Sequence, residues 1–143
     1  MRKPISKRRG FYSCQTGGEM NKTNSVMILD DEPIVCKRLR STLEKANMEI
    51  ETFTDPNEAV KRFSEKFFQI LITDLKMKEM DGIDVLKLAR RISPETKVII
   101  ITGVATVEKA KEALKLGAYD FIAKPFKLSQ LRNLVMRGIG LSE

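Results

Sequence analysis

The chain contains no histidine and no tryptophan, and only two of its 143 residues are cysteine. Without histidine, the chain itself cannot supply a histidine general base, a histidine metal ligand or a phosphohistidine. Cys14 and Cys36 are too few for a disulfide framework or a zinc-binding set of cysteines. No apolar stretch approaches the length that spans a bilayer, and no apolar segment of a secretory signal follows the basic start. The sequence therefore predicts a cytoplasmic protein that does not act in a membrane.

The whole chain has a formal net charge of +7, and most of this positive charge lies at its start. Residues 1–24 contain six basic residues and one glutamate, whereas residues 25–143 contain twenty basic and eighteen acidic residues. Because this larger part is nearly balanced, its charge does not predict nucleic-acid binding. We predict a basic disordered tail at residues 1–24 and one globular domain at residues 25–143.

The basic tail is open to three interpretations. It shows no apolar periodicity, which favours a leader without function, and an arm that contacts nucleic acid is the second interpretation. The third is that the segment is not natural, because Gly17, Gly18 and Glu19 could translate a purine-rich ribosome-binding site before a true start at Met20. The nucleotide sequence, or the mass of protein made from the native gene, tests the third interpretation.

Apolar runs and amphipathic segments alternate five times after the tail. The runs at 26–29, 49–53, 70–73, 98–101 and 119–123 predict strands, and the residues between and after them predict helices. Right-handed crossovers then build a parallel sheet that is covered by helices on both faces. We therefore predict an α/β fold, a three-layer α/β/α sandwich with a five-stranded parallel sheet.

Local signals place several helix ends and one sheet edge. The alternation of polar and apolar residues at 49–53 predicts an edge strand. Asp55 and Glu58 have the spacing of a capping box, and Thr106 is a predicted cap of the fourth helix. We place Leu114 and Leu128 on the inner faces of the fourth and fifth helices.

Four of the predicted strands end directly in a charged or hydroxyl residue. Asp30 and Asp31 follow the first strand, Asp74 the third, Thr102 the fourth and Lys124 the fifth. The carboxyl ends of parallel strands meet at one edge, where α/β folds bind ligands. Neighbouring carboxylates there repel unless a cation lies between them, and Mg²⁺ prefers such oxygen ligands. The set suits phosphoryl transfer onto an aspartate, which would become an aspartyl phosphate.

Each of these residues also has an ordinary structural explanation when it is taken alone. Asp31 and Glu32 could be the acidic residues of a helix N-terminus, and Thr102 could be a turn residue. Lys124 before a proline says only that a strand ends, and Asp74 could be a loop acid. We base the interpretation on their joint occurrence, each at the end of a strand and in order.

A family resemblance rests on the residues at these strand ends. They are Asp30-Asp31-Glu32 after the first strand, Asp74 after the third, Thr102-Gly103 after the fourth and the run 117–126 around the fifth. Over about residues 25–137 the sequence resembles the receiver domain of bacterial two-component response regulators, and most closely those of sigma-54-dependent activators. The resemblance implies a flavodoxin-like strand order, 2-1-3-4-5.

The resemblance also implies the chemistry of the site. Asp74 would accept a phosphoryl group from the phosphohistidine of a sensor histidine kinase or phosphotransfer protein. Asp31, Asp74 and the backbone carbonyl of Lys76 would bind Mg²⁺ (or Mn²⁺), and Asp30 would hold water bound to that ion. Lys124 would pair with the phosphoryl oxygens. Such a protein is a signalling switch that loses its phosphoryl group slowly, and it is not a turnover enzyme.

Conformational switching is implied in the same way. The Lys124–Pro125 peptide bond is expected to be cis, Thr102 would move to the phosphoryl group, and Phe121 would rotate into the vacated space. The face formed by the fourth helix, fifth strand and fifth helix would then repack and control an output partner, protein or domain. We expect a monomer that can dimerise through this face on phosphorylation.

Two residues depart from the usual family pattern. Lys78 stands where the family usually has proline, so the loop after Asp74 loses a fixed φ and is expected to be more mobile. Phe121 stands where many members have tyrosine, so its outward rotamer has no hydroxyl to anchor it. Lys76 and Val104 are expected to flank the hydrolytic water and to tune dephosphorylation, in a direction that the sequence does not predict.

Two alternative functions fit the sequence less well. An aspartyl-phosphate phosphatase of the haloacid dehalogenase type needs a second acid two residues after its nucleophile, where Asp74 is instead followed by Lys76. A DNA-binding transcriptional activator would need an output domain, and the sequence stops near the end of the fifth helix. We therefore expect either a stand-alone receiver or a receiver fragment of such an activator, with nucleic acid not bound through this domain.

Overall fold

The computed structural model of the chain describes residues 24–103 and 106–140. Residues 1–23 of the predicted tail and the predicted tuning residue Val104 therefore lie outside the described residues. The prediction that residue 24 belongs to the tail is wrong, because Asn24 is the first residue of a strand and pairs with Met48 in the sheet. Within the described residues, five strands alternate with five helices. The strands are β1 (Asn24–Leu29), β2 (Met48–Phe53), β3 (Ile70–Asp74), β4 (Lys97–Thr102) and β5 (Asp120–Ala123). The helices are α1 (Pro33–Glu44), α2 (Pro56–Glu65), α3 (Gly82–Ile92), α4 (Val107–Lys115) and α5 (Leu128–Ile139).

All strand pairs are parallel, and the sheet has the order β2-β1-β3-β4-β5. This confirms the predicted α/β fold and the strand order 2-1-3-4-5. The alternating strand β2 lies at one edge, as predicted. Strand β3 is buried along its whole length because β1 and β4 flank it and helices cover both faces. Such a strand reads as an unbroken apolar run rather than as an alternating one.

The core consists of two apolar clusters, one on each face of the sheet. Met27 and Leu29 of β1 pack with residues of α2, α3 and α4, whereas Val26 and Ile28 pack with residues of α1 and α5. Successive side chains of a strand point to opposite faces, so one strand supplies both clusters. The two clusters hold the strand ends of β1 and β3 side by side, with Leu29 opposite Thr73.

Two helix N-termini differ from the sequence prediction. The side chain of Asp55 caps α2 by accepting a hydrogen bond from the backbone N–H of Asn57 (3.0 Å) rather than from Glu58. In the described part of the chain the predicted capping box is therefore not formed. Thr106 does occupy the N-cap of α4, but its hydroxyl makes no cap hydrogen bond to the described residues of that helix.

Two leucines that were assigned to inner faces are exposed. Leu114 in α4 and Leu128 in α5 have exposed fractions of 40% and 39%. The buried side of α4 is formed by Ala110 and Ala113, and the next residue is rotated by about 100° from that side. In α5, the buried side begins at Leu131, one turn after the first residue of the helix.

The fifth helix continues past its predicted end at Gly138. A Cβ at this position would lie 2.9 Å from Cδ1 of Ile70, so the glycine lets α5 pack closely against β3. The helix ends instead at Gly140, which has a left-handed conformation with φ of 93°. None of the helices in residues 24–103 and 106–140 is long and apolar enough to cross a membrane.

Candidate functional site

Three carboxylates meet at the carboxyl edge of the sheet. Asp30 and Asp31 follow β1, and Asp74 is the last residue of the neighbouring strand β3. One carboxylate oxygen from each lies within 4.8 Å of the others. Asp30 and Asp74 are only 1% and 8% exposed, whereas Asp31 is half-buried. The three residues predicted from the sequence to surround one ion are thus brought together.

Asp30 is held in an environment that does not suit a negative charge alone. Its Oδ1 accepts a hydrogen bond from the backbone N–H of Glu32 (2.9 Å), while its buried Oδ2 has no partner among the described residues. Burial raises the pKa of Asp30 to about 6, the bond from Glu32 opposes this rise, and the Asp74 carboxylate adds to it. A buried carboxylate oxygen without a partner, facing two further carboxylates, fits a divalent cation.

Asp74 lies between this acidic cluster and a lysine. Burial raises the pKa of Asp74, the charge of Lys124 opposes that rise, and the Asp31 carboxylate adds to it. The Nζ atom of Lys124 lies 3.8 Å from Oδ1 of Asp74. The Asp74 side chain is 11% exposed and the Lys124 side chain is 40% exposed, so the carboxylate is shielded from solvent while the ammonium side of the pair remains open to it.

Lys124 is placed by the end of β5. Its backbone N–H donates to the carbonyl of Thr102 (2.7 Å), which extends the pairing of β4 and β5 by one residue. The following Lys124–Pro125 peptide bond is cis. The backbone pairing positions the lysine at the strand edge, so that its ammonium group reaches the neighbouring Asp74 across the end of β4.

The proposed switch residues lie on the other side of Asp74 from the acidic cluster. Thr102 is fully buried, and its hydroxyl is hydrogen-bonded to the carbonyl of Gly103 (3.1 Å) and to the hydroxyl of Thr106. Phe121 in β5 is half-buried and packs against the core cluster that contains α4. Lys76, the expected carbonyl ligand, follows Asp74 by two residues and has an exposed side chain.

The loop after Asp74 is held by contacts at its far end. Asp81 accepts a hydrogen bond from the N–H of Asp84 (3.0 Å), and its other oxygen lies 3.8 Å from Nζ of Lys109 in α4. Asn57 in α2 donates to Glu79 at 3.4 Å. Lys78, which replaces the usual proline, is exposed. These contacts join the loop to two neighbouring helices.

Two residues that the sequence analysis did not assign to the site also contact it. The N–H of Gly82 donates to the carbonyl of Leu75 (2.7 Å), and a Cβ on Gly82 would lie 2.7 Å from the carbonyl oxygen of Asp74. Only glycine therefore fits behind the acidic strand end. Thr106 contacts Thr102 directly. A glycine after an aspartate is also an ordinary helix start, so neither residue type gave a distinct signal.

Comparison with known proteins shows what kind of domain carries this arrangement. Residues 26–136 match the model of the response regulator receiver domain. The chain belongs to the response regulator receiver family. This confirms the family predicted from the sequence, and receiver domains of regulators are signalling domains.

Relatives with curated names share this domain. The chain is 35% identical over 122 residues to regulatory protein AtoC of Escherichia coli, a match covering 85% of this chain and 26% of that protein. It is also 35% identical over 112 residues to the C4-dicarboxylate transport transcriptional regulatory protein DctD of Rhizobium meliloti. That match covers 78% of this chain and 24% of that protein. The chain thus spans about a quarter of the length of these relatives.

Solved structures show the same fold. A response regulator receiver domain protein from Clostridium thermocellum is 28% identical with a TM-score of 0.78, covering 82% of this chain and 94% of that one. A CheY-like receiver domain protein from Methanospirillum hungatei is 25% identical with a TM-score of 0.79, covering 83% and 95%. The fold and family of residues 26–136 therefore rest on sequence and structure together.

Proposed function

We propose that Asp74 is the phosphoacceptor of a two-component signalling switch. The observation that carries this proposal is the position of the Asp74 carboxylate, with an acidic cluster on one side and Nζ of Lys124 at 3.8 Å. One oxygen of Asp74 would attack the phosphorus atom of a phosphohistidine in a partner kinase or phosphotransfer protein. The new O–P bond forms as the P–N bond breaks, and the electron pair returns to the imidazole nitrogen. The product is a mixed anhydride at Asp74.

The acidic cluster would hold the metal ion that this reaction needs. Asp30, Asp31, Asp74 and the backbone carbonyl of Lys76 are oxygen donors of the type that Mg²⁺ or Mn²⁺ binds. The buried Oδ2 of Asp30, which has no partner among the described residues, supports this assignment. When bound, the cation neutralises charge on the phosphoryl oxygens.

Lys124 would balance charge on the opposite side of the phosphoryl group. In the unphosphorylated protein its ammonium pairs with Asp74, and this pairing opposes the rise in the pKa of Asp74. An ionised carboxylate is the nucleophilic form, so the lysine keeps the acceptor ready to react. After transfer, the same ammonium would pair with a phosphoryl oxygen.

The switch would run from Thr102 to the face formed by α4, β5 and α5. Thr102 would leave its bonds in the turn to donate to a phosphoryl oxygen, and Phe121 would rotate toward the vacated space. Both residues adjoin this face, because Thr102 precedes α4 and Phe121 lies in β5. Phosphorylation would bias the two packings of the face, which would contact an output protein or domain.

The wider role is proposed from the relatives. We propose that the chain is a monomeric cytoplasmic receiver, with a dimer that forms on phosphorylation, and that it receives its phosphoryl group from a sensor histidine kinase. We propose that residues 1–23 are a tail outside the receiver, because β1 begins at Asn24. We also propose that the output is transcriptional, as the name of DctD indicates for that protein, and that the chain does not turn over substrate. Lys76 and Val104 would tune the lifetime of the phosphoryl group.

Labelling with a small phosphodonor tests the acceptor role. The protein is incubated with acetyl phosphate and Mg²⁺, and the intact mass is followed with time. We expect one phosphoryl group per chain, no label with Asp74→Asn, and no label when EDTA replaces the metal. The control Asp84→Asn changes an exposed carboxylate of α3 and should label normally. Label that persists in Asp74→Asn, or repeated turnover of a simple phosphate ester, would contradict the proposal.

A further inference from the structure

Two threonine hydroxyls are joined across the turn between β4 and α4. Thr102 is the last residue of β4 and is fully buried, and Thr106 stands at the N-cap of α4. The two hydroxyls are hydrogen-bonded to each other, and that of Thr102 also contacts the carbonyl of Gly103 at 3.1 Å. The hydroxyl expected to move on phosphorylation is thus bonded within the turn.

Thr106 does not act as an ordinary helix cap. A threonine at an N-cap normally accepts a hydrogen bond from the N–H of the second or third residue of the helix. In residues 106–140 no such bond is made, and the Thr106 hydroxyl turns back to Gly103. It accepts from the Gly103 N–H at 3.2 Å and lies 3.2 Å from the Gly103 carbonyl. The side chain is therefore used for the end of β4 rather than for the start of α4.

The hydroxyl of Thr102 can donate its single proton to only one acceptor at a time. A hydroxyl has one proton to donate and two lone pairs that accept. Among the described residues, the proton of Thr102 is donated either to the Gly103 carbonyl or to Thr106, because both lie within hydrogen-bond distance. Donation to a phosphoryl oxygen on Asp74 requires that this bond be given up. The bond that Thr102 donates to Gly103 or Thr106 and a bond to the phosphoryl group therefore compete for one proton. Where Thr106 is the donor of the bond between the two hydroxyls, that bond instead holds the Thr102 oxygen in place.

We propose that Thr106 is a positioning residue that holds the hydroxyl of Thr102 in its unphosphorylated position. This inference rests on the proposed roles of Asp74 and Thr102, and it adds a residue that opposes the switch. A single hydrogen bond between neutral groups has a modest net effect in proteins. Loss of the Thr106 hydroxyl should therefore shift the equilibrium of Thr102 toward the phosphoryl group by about two- to tenfold.

Binding of beryllofluoride, an unreactive analogue of the phosphoryl group, tests the inference in the presence of Mg²⁺. Thr106→Val removes the hydroxyl and keeps the branched shape, and we expect it to bind beryllofluoride about two- to tenfold more tightly than the wild type. Thr106→Ser keeps the hydroxyl and should bind like the wild type. An unchanged or weaker affinity in Thr106→Val, or equal effects of both substitutions, would overturn the inference.

The same substitution in the Thr102→Ala variant distinguishes an effect on Thr102 from a general structural effect of Thr106. In Thr102→Ala there is no hydroxyl to hold, so adding Thr106→Val should change the affinity no further. The same gain in that background would show that Thr106 acts independently of Thr102, and would overturn the inference.

The side-chain rotamer of Thr102 gives a readout without any ligand. Three-bond couplings measured by NMR should report one χ1 rotamer in the wild type and in Thr106→Ser, and averaging in Thr106→Val. A single, unaltered χ1 rotamer of Thr102 in Thr106→Val would contradict the proposal that Thr106 positions this side chain. Failure of the wild type to bind beryllofluoride would instead count against the acceptor site, and the couplings would still decide the role of Thr106.

Discussion

Replacing Asp30 by asparagine should stabilise the metal-free protein at neutral pH. Asp30 is 1% exposed, its Oδ2 has no partner among the described residues, and the Asp74 carboxylate faces it. Asp30→Asn removes the buried charge while its amide oxygen can still accept from the N–H of Glu32. The amide nitrogen can also donate toward the neighbouring carboxylates.

The size of the effect follows from the pKa of Asp30, which burial raises from 3.8 to about 6. The folded protein then binds more protons than the unfolded chain between about pH 4 and pH 6, so its stability falls as the pH rises through this range. Each pKa unit corresponds to about 1.4 kcal/mol, so at pH 7.5 the ionised Asp30 lowers the free energy of unfolding by up to about 3 kcal/mol. Below pH 4, both states are protonated and the effect is absent.

Urea denaturation in EDTA measures this difference. We expect Asp30→Asn to unfold with a free energy up to about 3 kcal/mol above the wild type at pH 7.5, and with a similar free energy at pH 4. Added Mg²⁺ should stabilise the wild type, and it should stabilise the variant less. Glu95→Gln, at an exposed carboxylate, should stay within about 0.5 kcal/mol of the wild type. A variant that is less stable at pH 7.5, or equally stabilised at both pH values, would refute the reasoning.

Three further substitutions, one of them with a matched control, test the site and the packing of the sheet. Gly82→Ala places a Cβ 2.7 Å from a backbone oxygen and should lower the free energy of unfolding in urea by about 1–3 kcal/mol, whereas Gly103→Ala, with open space around its Cβ, should have little effect. Thr96→Val removes a buried 2.6 Å hydrogen bond to the carbonyl of Phe68 and should cost about 1–3 kcal/mol in the same assay. Lys124→Met should slow labelling by acetyl phosphate at least tenfold in an intact-mass time course, with unchanged secondary structure by circular dichroism. Equal stability of the two glycine variants, an unaffected Thr96→Val, or labelling of Lys124→Met at the wild-type rate would each contradict the corresponding role.

The strand order and the meeting of the acidic residues could be predicted because the sequence carries both signals directly. An unbroken apolar run such as Ile70–Thr73 predicts a strand that is covered on both faces, and the aspartate that follows marks its carboxyl end. Parallel strands bring such ends to one edge, so the approximate position of Asp74 beside Asp30 follows from topology. The distances and the missing partner of Oδ2 do not, because they depend on side-chain packing.

Other features could not be predicted because they depend on contacts across the fold. Thr106 has the residue type of a helix cap, but its hydroxyl turns back to the strand end, which sequence spacing does not reveal. Gly82 and Gly138 look like helix boundaries in the sequence, but both lie at close contacts. An added Cβ would come within 3 Å of the backbone of Asp74 at position 82, and within 3 Å of the side chain of Ile70 at position 138. Leu114 is apolar and exposed because the inner side of α4 is already formed by its alanines.

Locating the phosphoryl group by chemical reduction tests the central claim most directly. Borohydride reduces an acyl phosphate of aspartate to homoserine, and peptide mass spectrometry then identifies the position that was modified. After treatment with acetyl phosphate and Mg²⁺, we expect homoserine at position 74 alone. Homoserine at position 30 or 31, or none at any aspartate of a labelled protein, would contradict the assignment of Asp74 as the acceptor.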